Sequence, residues 1–196
     1  MADIQLGENY WDSRYQEGQT QWDTGAITTP LKAYFDQLTD KSVSILIPGC
    51  GNAYEAEYLH QQGFENVFLA DVSDIPLQNF FKRCPGFPRG HLLHKDFFDI
   101  TLRFDFIIEQ TFFCALHPSQ RSAYAKKSAE LLNKGGHLAG VLFNDSLFHT
   151  HPPYGGEKDE YIIYFKPYFH FRVFDACYNS IKPREGRELF INLVRK

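Results

Sequence analysis

Residues 43–71, VSILIPGCGNAYEAEYLHQQGFENVFLAD, constrain this chain more than any other stretch. Val43, Ile45, Leu46 and Ile47 form an apolar, β-branched run of strand length. The turn Pro48-Gly49-Cys50-Gly51-Asn52 follows, and then a helical segment from about Ala53 to Gln62, closed by Gly63. Val67-Phe68-Leu69-Ala70 reads as a second strand that ends on Asp71. Strand, glycine turn, helix, strand and carboxylate make the nucleotide-binding βαβ unit. Gly49 and Gly51 let the backbone approach a ligand closely at the helix start. Asp71, about twenty residues past the turn, is placed to accept from ribose hydroxyls.

The third position of G-x-G-x-x-G holds Tyr54, and Glu55 and Glu57 follow it. A dinucleotide site wants a third glycine, because the pyrophosphate lies against the helix start. Carboxylates in a first helical turn suit the helix dipole and repel a phosphate. The stretch therefore predicts a site for an adenosine without phosphates, with S-adenosylmethionine as the candidate. The competing reading of a bare G-x-G is a structural β-to-α turn in some other α/β protein.

A chain of 196 residues with 43% hydrophobic and 16% aromatic content has the core of one globular domain and is not disordered. A net charge of −4 without a basic tract argues against a nucleic-acid surface. Cys50, Cys84, Cys114 and Cys177 are scattered, with no C-x-x-C pair, so neither a metal site nor a disulfide framework is expected. No signal peptide is recognisable and no apolar run approaches membrane length, which predicts a soluble, cytoplasmic protein without a membrane partner.

Both tryptophans of the protein fall in residues 7–25, GENYWDSRYQEGQTQWDTG, ahead of the first strand. Trp11, Tyr15 and Trp22 either staple this arm to the core or form an aromatic lid. A sulfonium or a flat adenine is well served by π-faces, at about 0.5–2 kcal/mol per contact. Thr29-Pro30 starts a helix (Leu31, Tyr34, Phe35, Leu38) that stops near Asp40-Lys41. Past Asp71, Ser73 or Asp74 can cap a helix with Pro76 in its first turn and Ile75, Leu77, Phe80 and Phe81 on its buried stripe. Gly90–His94 is expected as the third strand, with His91 and His94 structural and on opposite faces. At its end, Asp96 and Phe97 form an acid–aromatic pair able to hold adenine by its amino group and its face. The plainer alternative is a loop acid beside a core phenylalanine.

Phe104–Ile108 reads as the fourth strand, delivering Glu109, Gln110 and Thr111 at its carboxyl end, where open α/β sheets bind ligands. Glu109 there is expected to offset a sulfonium's charge and Gln110 to bind ligand polar atoms. A helix from Pro118 to about Leu132 ends at Lys134-Gly135-Gly136, before a fifth strand at His137–Phe143. The segment from Asn144 to Gly156, NDSLFHTHPPYGG, is too long for a simple connection and overhangs the same edge. Pro152-Pro153 stiffens it and presents Tyr154. A helix from Lys158 to about Phe165 and two strands, Phe169–Phe174 and Glu188–Val194, complete the chain.

Taken together, these segments resemble the thiopurine S-methyltransferase superfamily, most closely its plant-type halide/thiol (thiocyanate) methyltransferase branch. The resemblance runs nearly end to end. It rests on W-x-x-x-Y-x-x-x-x-T-x-W-D-x-G at Trp11–Gly25 with Thr29-Pro30 after it, L-I-P-G-C-G at Leu46–Gly51, and Asp71. It continues through Lys95-Asp96-Phe97, T-F-F-C-A-L-x-P-x-x-R at Thr111–Arg121, Pro152-Pro153-Tyr154 and the K-P-R-E-G tail. LLNKGGHL is similar to the helix-to-strand connection of class I methyltransferases. The resemblance implies a Rossmann-like, three-layer α/β/α fold over residues 1–196 as one domain. Its seven-stranded, mostly parallel sheet has the order 3-2-1-4-5-7-6 with the last strand antiparallel, and residues 1–40 supply part of a lid. It further implies S-adenosylmethionine as cofactor, lined by Trp11, Tyr15, Trp22, Gly49, Gly51, Asp71, Asp96, Phe97 and Gln110. Tyr154 would face a small thiol or soft anion (hydrosulfide, thiocyanate, halide).

Relatives in that branch tend to carry tryptophan at Tyr15, Asp-Tyr at Glu109-Gln110, and Gly-Gly where this chain has Thr150-His151. The last change alters the wall of the acceptor pocket. An aromatic thiol or thiopurine acceptor is the nearest alternative. An NAD-dependent oxidoreductase is disfavoured by Tyr54, and a cofactor-binding sensor without catalysis is motivated by the altered wall and Gln110.

Overall fold

The computed structural model describes residues 6–196. In chain order the elements are α1 (Glu8–Gln16), α2 (Thr29–Phe35), β1 (Ile45–Pro48), α3 (Tyr54–Gln61), β2 (Val67–Asp71), α4 (Asp74–Arg83) and β3 (Leu92–His94). Then come β4 (Phe104–Gln110), α5 (Arg121–Leu131), β5 (Leu132–Phe143), α6 (Lys158–Phe165), β6 (Phe169–Ala176) and β7 (Glu188–Arg195). The strands form a seven-stranded sheet in the order β3-β2-β1-β4-β5-β7-β6, as the resemblance implied. The pairs among β1 to β5 are parallel, and β7 runs antiparallel to both β5 and β6.

All four residues of β1 are buried, as expected of a central parallel strand covered on both faces. Register then fixes which side chains share a face. Ile45 pairs with both Val67 and Phe106, so these three point one way, and Leu46, Phe68 and Ile107 point the other. Leu46 and Ile107 pack with Tyr124, Ala125 and Ala129 of α5 and with Tyr161 and Phe165 of α6. On the opposite face Ile45, Ile47, Val67, Leu69 and Ile108 pack with Leu31, Tyr34 and Phe35 of α2, Ala56 and Leu59 of α3, and Leu77 and Phe80 of α4. Two apolar layers thus sandwich the sheet.

Several boundaries move from their expected places. The third strand is shorter, because residues 89–91 close a 3-10 turn that takes His91 out of it. His91 stacks on Phe68 at 4.0 Å between ring centroids, and a ring nitrogen of His94 lies 2.9 Å from the Val72 carbonyl. The helix expected to run to Leu132 ends at Leu131, and β5 begins at once, because Leu132 pairs with Phe104 across the ladder. Gly135-Gly136 lies inside that strand, beside a register shift between Phe104 and Phe106, and does not end the helix. Ser73 stands at the N-cap of α4 without capping it; its hydroxyl donates instead to Asp12 of α1 at 2.5 Å. No helix among the described residues is long and apolar enough to cross a membrane.

Candidate functional site

The carboxyl ends of β1, β2 and β4 converge with the N-terminal arm. After β1 the chain turns through Gly49 and Gly51 at φ 54° and 52°, the left-handed region open to glycine. A side chain at Gly49 would collide with the ring of Phe112, and one at Gly51 would meet the Tyr15 hydroxyl at 3.3 Å. Both glycines therefore serve close approach as well as turn geometry. Ala53 continues the left-handed turn at φ 54° and delivers the chain into α3.

Asp71, the last residue of β2, lies under this loop and is 8% exposed. Gly51 N–H donates to one carboxylate oxygen at 3.1 Å, and Ser73 N–H donates to the other at 3.0 Å. Each oxygen carries two lone pairs, so both keep acceptor capacity. Burial pushes the Asp71 carboxyl up to about 6, opposed by those two backbone N–H groups. Tyr15 is raised by burial and then by the Asp71 carboxylate, a sign of how near the two lie.

The aromatic residues of the arm form one cluster. Trp22 meets Trp11 edge-on at 5.5 Å and Tyr15 at 5.7 Å between centroids. Three contacts tie the arm to the sheet edge. The Asn52 amide donates to Asp23, the Thr28 hydroxyl donates to Gln110 Oε1 at 3.2 Å, and Ser73 donates to Asp12. Neither Asp23 nor Thr28 carries a sequence signal for this bracing role, although Asp23 sits inside the W-D-x-G string.

At the end of β4 the two neighbouring residues part. Gln110 follows Phe106 and Ile108 onto the face that Val67, Leu69 and Asp71 share. Its Nε2 is buried with no partner among the described residues. Glu109 points to the other face and is fully buried. It accepts from Phe112 and Phe113 N–H at 2.8 and 2.9 Å and from the Tyr124 hydroxyl at 2.6 Å. Burial raises its carboxyl to about 7, opposed first by the Tyr124 bond. The expectation that Glu109 offsets a sulfonium is therefore corrected. It ties down the turn that swings through Thr111, at φ 60°, and lays Phe112 against Gly49.

Asp96 is exposed and accepts from Phe98 N–H at 2.8 Å. Phe97 is 3% exposed and packs on Phe112 at 5.5 Å and Tyr124 at 5.2 Å. It is a core ring beneath Phe112 and not an open face beside Asp96. Tyr154, on the long connection after β5, is 1% exposed. Its N–H donates to the Cys114 carbonyl at 2.7 Å, and its ring meets His117 edge-on at 5.5 Å. Its hydroxyl is buried without a partner among the described residues, and burial, then the neighbouring Tyr10 of α1, raises its pKa. His151 is exposed and instead lies against the exposed Phe148, with ring centroids 4.2 Å apart and the planes tilted by 35°. The described residues hold no group of three His, Cys, Asp or Glu side chains fit for a metal, and all four cysteines are free.

The strand order with its antiparallel β7, and a glycine loop facing a strand-end carboxylate, define a class I methyltransferase fold. Solved structures agree on the fold. A Burkholderia thailandensis 1,6-didemethyltoxoflavin-N1-methyltransferase with bound S-adenosylhomocysteine superposes with a TM-score of 0.76 at 16% identity, over 96% of this chain and 87% of that one. Magnesium protoporphyrin IX methyltransferase from Synechocystis, with bound S-adenosylhomocysteine, gives 0.74 at 13% identity, over 96% and 98%. The family model for thiopurine S-methyltransferase matches residues 6–191, and the chain belongs to that family. It is an S-adenosylmethionine-dependent methyltransferase. Among named relatives, a probable thiol methyltransferase 2 of Arabidopsis thaliana is 28% identical over 185 residues, covering 91% of this chain and 81% of the relative. Thiocyanate methyltransferase 1 of Brassica oleracea is 29% identical over 154 residues, covering 75% and 67%.

Proposed function

We propose that this enzyme methylates a small thiol or soft anion such as hydrosulfide, thiocyanate or a halide. The observation that carries this reading is Tyr154: a ring 1% exposed whose buried hydroxyl lacks a partner, held by its backbone to the turn after β4. A buried polar atom left unpaired costs about 1–3 kcal/mol, and a bound acceptor would give this hydroxyl the partner it lacks. The thiol and thiocyanate names of the relatives point the same way.

S-adenosylmethionine, when bound, supplies an electrophilic methyl group on a sulfonium. The residues present fit it. Asp71 has acceptor capacity left for ribose hydroxyls, Gly49 and Gly51 permit close backbone approach, and the unpartnered Gln110 amide has a donor to give. Asp96 would receive the adenine amino group, with Phe97 backing Phe112 from beneath. Trp11, Tyr15 and Trp22 of the arm would surround the cation, each face contributing about 0.5–2 kcal/mol, with Trp11 and Tyr15 carried on α1 as a lid. For an anionic acceptor, charge is partly neutralised on the way to the transition state, so walls that exclude water help. Holding acceptor and methyl in line is the larger part of the work. With a protonated thiol, the Tyr154 hydroxyl would accept a hydrogen bond from the S–H and so orient the sulfur, and the S–H proton would leave to water once the S–CH3 bond has formed.

The test is a methyl-transfer screen across hydrosulfide, thiocyanate, iodide, thiophenol and a thiopurine, alongside calorimetric titration with S-adenosylhomocysteine. The small acceptors are expected to give the highest kcat/KM. Preference for the thiopurine would move the assignment to aromatic thiols. Tight cofactor binding without turnover on any acceptor would make the protein a sensor.

A further inference from the structure

Arg184 belongs to no element that bounds the glycine loop, yet it reaches the arm. It ends the 3-10 turn Lys182–Arg184 in the connection from β6 to β7, and is only 8% exposed. Its Nη1 lies 3.5 Å from Glu188 Oε1, and Glu188 is itself buried. Its Nη2 donates to the Trp22 carbonyl at 3.0 Å, across 162 positions of sequence. The guanidinium also lies 5.6 Å from the centre of the Phe143 ring and lowers the otherwise raised carboxyl of buried Glu55. A buried cation costs several kcal/mol unless it is paired, and Glu188 supplies the pairing at 3.5 Å. That leaves a rigid fork of N–H donors free to hold a backbone carbonyl.

The same connection grips the arm a second time. The Thr29 hydroxyl donates to the Asn179 carbonyl at 2.5 Å, and the Asn179 amide donates back to the Thr29 carbonyl at 3.4 Å. Residues 22–29 are thus clamped at both ends by the β6–β7 connection. Helix α1 differs, since none of its residues is buried. Between these two parts of the arm, Trp22 meets Trp11 on one side and Tyr15 on the other, over Gly51.

We propose that Arg184 is a positioning residue for the cofactor: by holding the Trp22 carbonyl it makes Trp22 a permanent wall of the cleft, so that α1 alone opens and closes. The proposal rests on the methyltransferase reading of that cleft. Trp11 and Trp22 are the protein's two tryptophans, so a Trp11→Phe background makes intrinsic fluorescence report Trp22 alone. In that background Arg184→Ala should raise acrylamide quenching of Trp22 by about twofold without ligand, as an ordered segment becomes an opening one. The Kd for S-adenosylhomocysteine should rise about tenfold, the loss of one hydrogen bond to a charged group. At saturating cofactor kcat should stay within about threefold, because the acceptor side is untouched. Arg184→Lys keeps the charge beside Glu188 and Glu55 and so keeps the fold if alanine does not. One ammonium cannot serve both Glu188 and the carbonyl, so its quenching should fall between wild type and alanine.

Unchanged quenching in both folded variants would overturn the proposal. So would a weaker Kd with unchanged quenching, because Arg184 would then act on the cofactor by another route. Unfolding of both variants would overturn it too, making the guanidinium a core strut. Wild-type affinity for S-adenosylhomocysteine tests the reading separately, and quenching of the ligand-free protein tests the wall whichever way that result falls.

Discussion

Asp71 and Glu109 are both buried carboxylates at the carboxyl edge of the same parallel sheet, and the protein uses them in opposite ways. Asp71 accepts one backbone N–H on each oxygen and faces the glycine loop with capacity to spare. Glu109 commits three of its four lone pairs, to the Phe112 and Phe113 N–H groups and the Tyr124 hydroxyl. Burial holds both above the usual carboxylate range, at about 6 and about 7. Residue type, strand end and burial are therefore shared. What separates a ligand-binding acid from a structural one is the sheet face it occupies and the number of internal donors aimed at it.

The largest effect should come from Glu109→Ala, which strands three donors at about 1 kcal/mol or more each. A loss of about 3 kcal/mol corresponds to a Tm lower by about 6–12 °C in a chain of this size, read by calorimetry. Asp71→Ala should do the reverse. Its Kd for S-adenosylhomocysteine should rise about ten- to hundredfold, from the 1.5–3 kcal/mol of hydrogen bonds to a charged group, while Tm stays within about 4 °C. If Glu109→Ala weakened binding as much and left Tm alone, the distinction between the two acids would collapse.

pH separates them without mutation. Only ionised Asp71 accepts fully, so affinity for S-adenosylhomocysteine should fall as pH drops below about 6, approaching tenfold per unit. Stability of the ligand-free protein should run the other way. Asp71, Glu55 and Glu109 hold protons more tightly folded than unfolded, so stability is lost as pH rises from their unfolded values near 4 toward about 7. Urea melts and calorimetric titrations at matched pH would show opposite slopes. Parallel slopes would mean that Asp71 does not touch the ligand.

The smallest effect is expected from Tyr154→Phe. Removing a buried, unpartnered hydroxyl should raise ligand-free stability by about 1 kcal/mol, the low end of what such a group costs. With a protonated thiol, kcat/KM should fall about fivefold, one neutral hydrogen bond's worth, while iodide stays within about twofold. Equal losses with both acceptors would remove Tyr154 from orienting the sulfur and leave it as a wall.

Local chemistry made much of this molecule readable in advance. The apolar run before Pro48, the glycine turn and the strand ending on Asp71 were legible because each is a short-range pattern of period and turn residues. The helix Lys158–Phe165 was equally plain, lying between a glycine pair and a β-rich segment. The methyltransferase class followed from strings that act locally, such as P-G-C-G and T-F-F-C-A-L. Tertiary structure alone decided the rest. Which of Glu109 and Gln110 shares Asp71's face depends on the pairing of Ile45 with both Val67 and Phe106. Phe97 became a core ring because Phe112 and Tyr124 close over it, a matter of packing between distant segments. Arg184 meets Trp22 across almost the whole chain, although K-P-R-E-G was visible as a string. Sequence dictates period, turns and charge over a few residues, whereas the direction and saturation of a buried polar group are set by neighbours that only the folded sheet brings together.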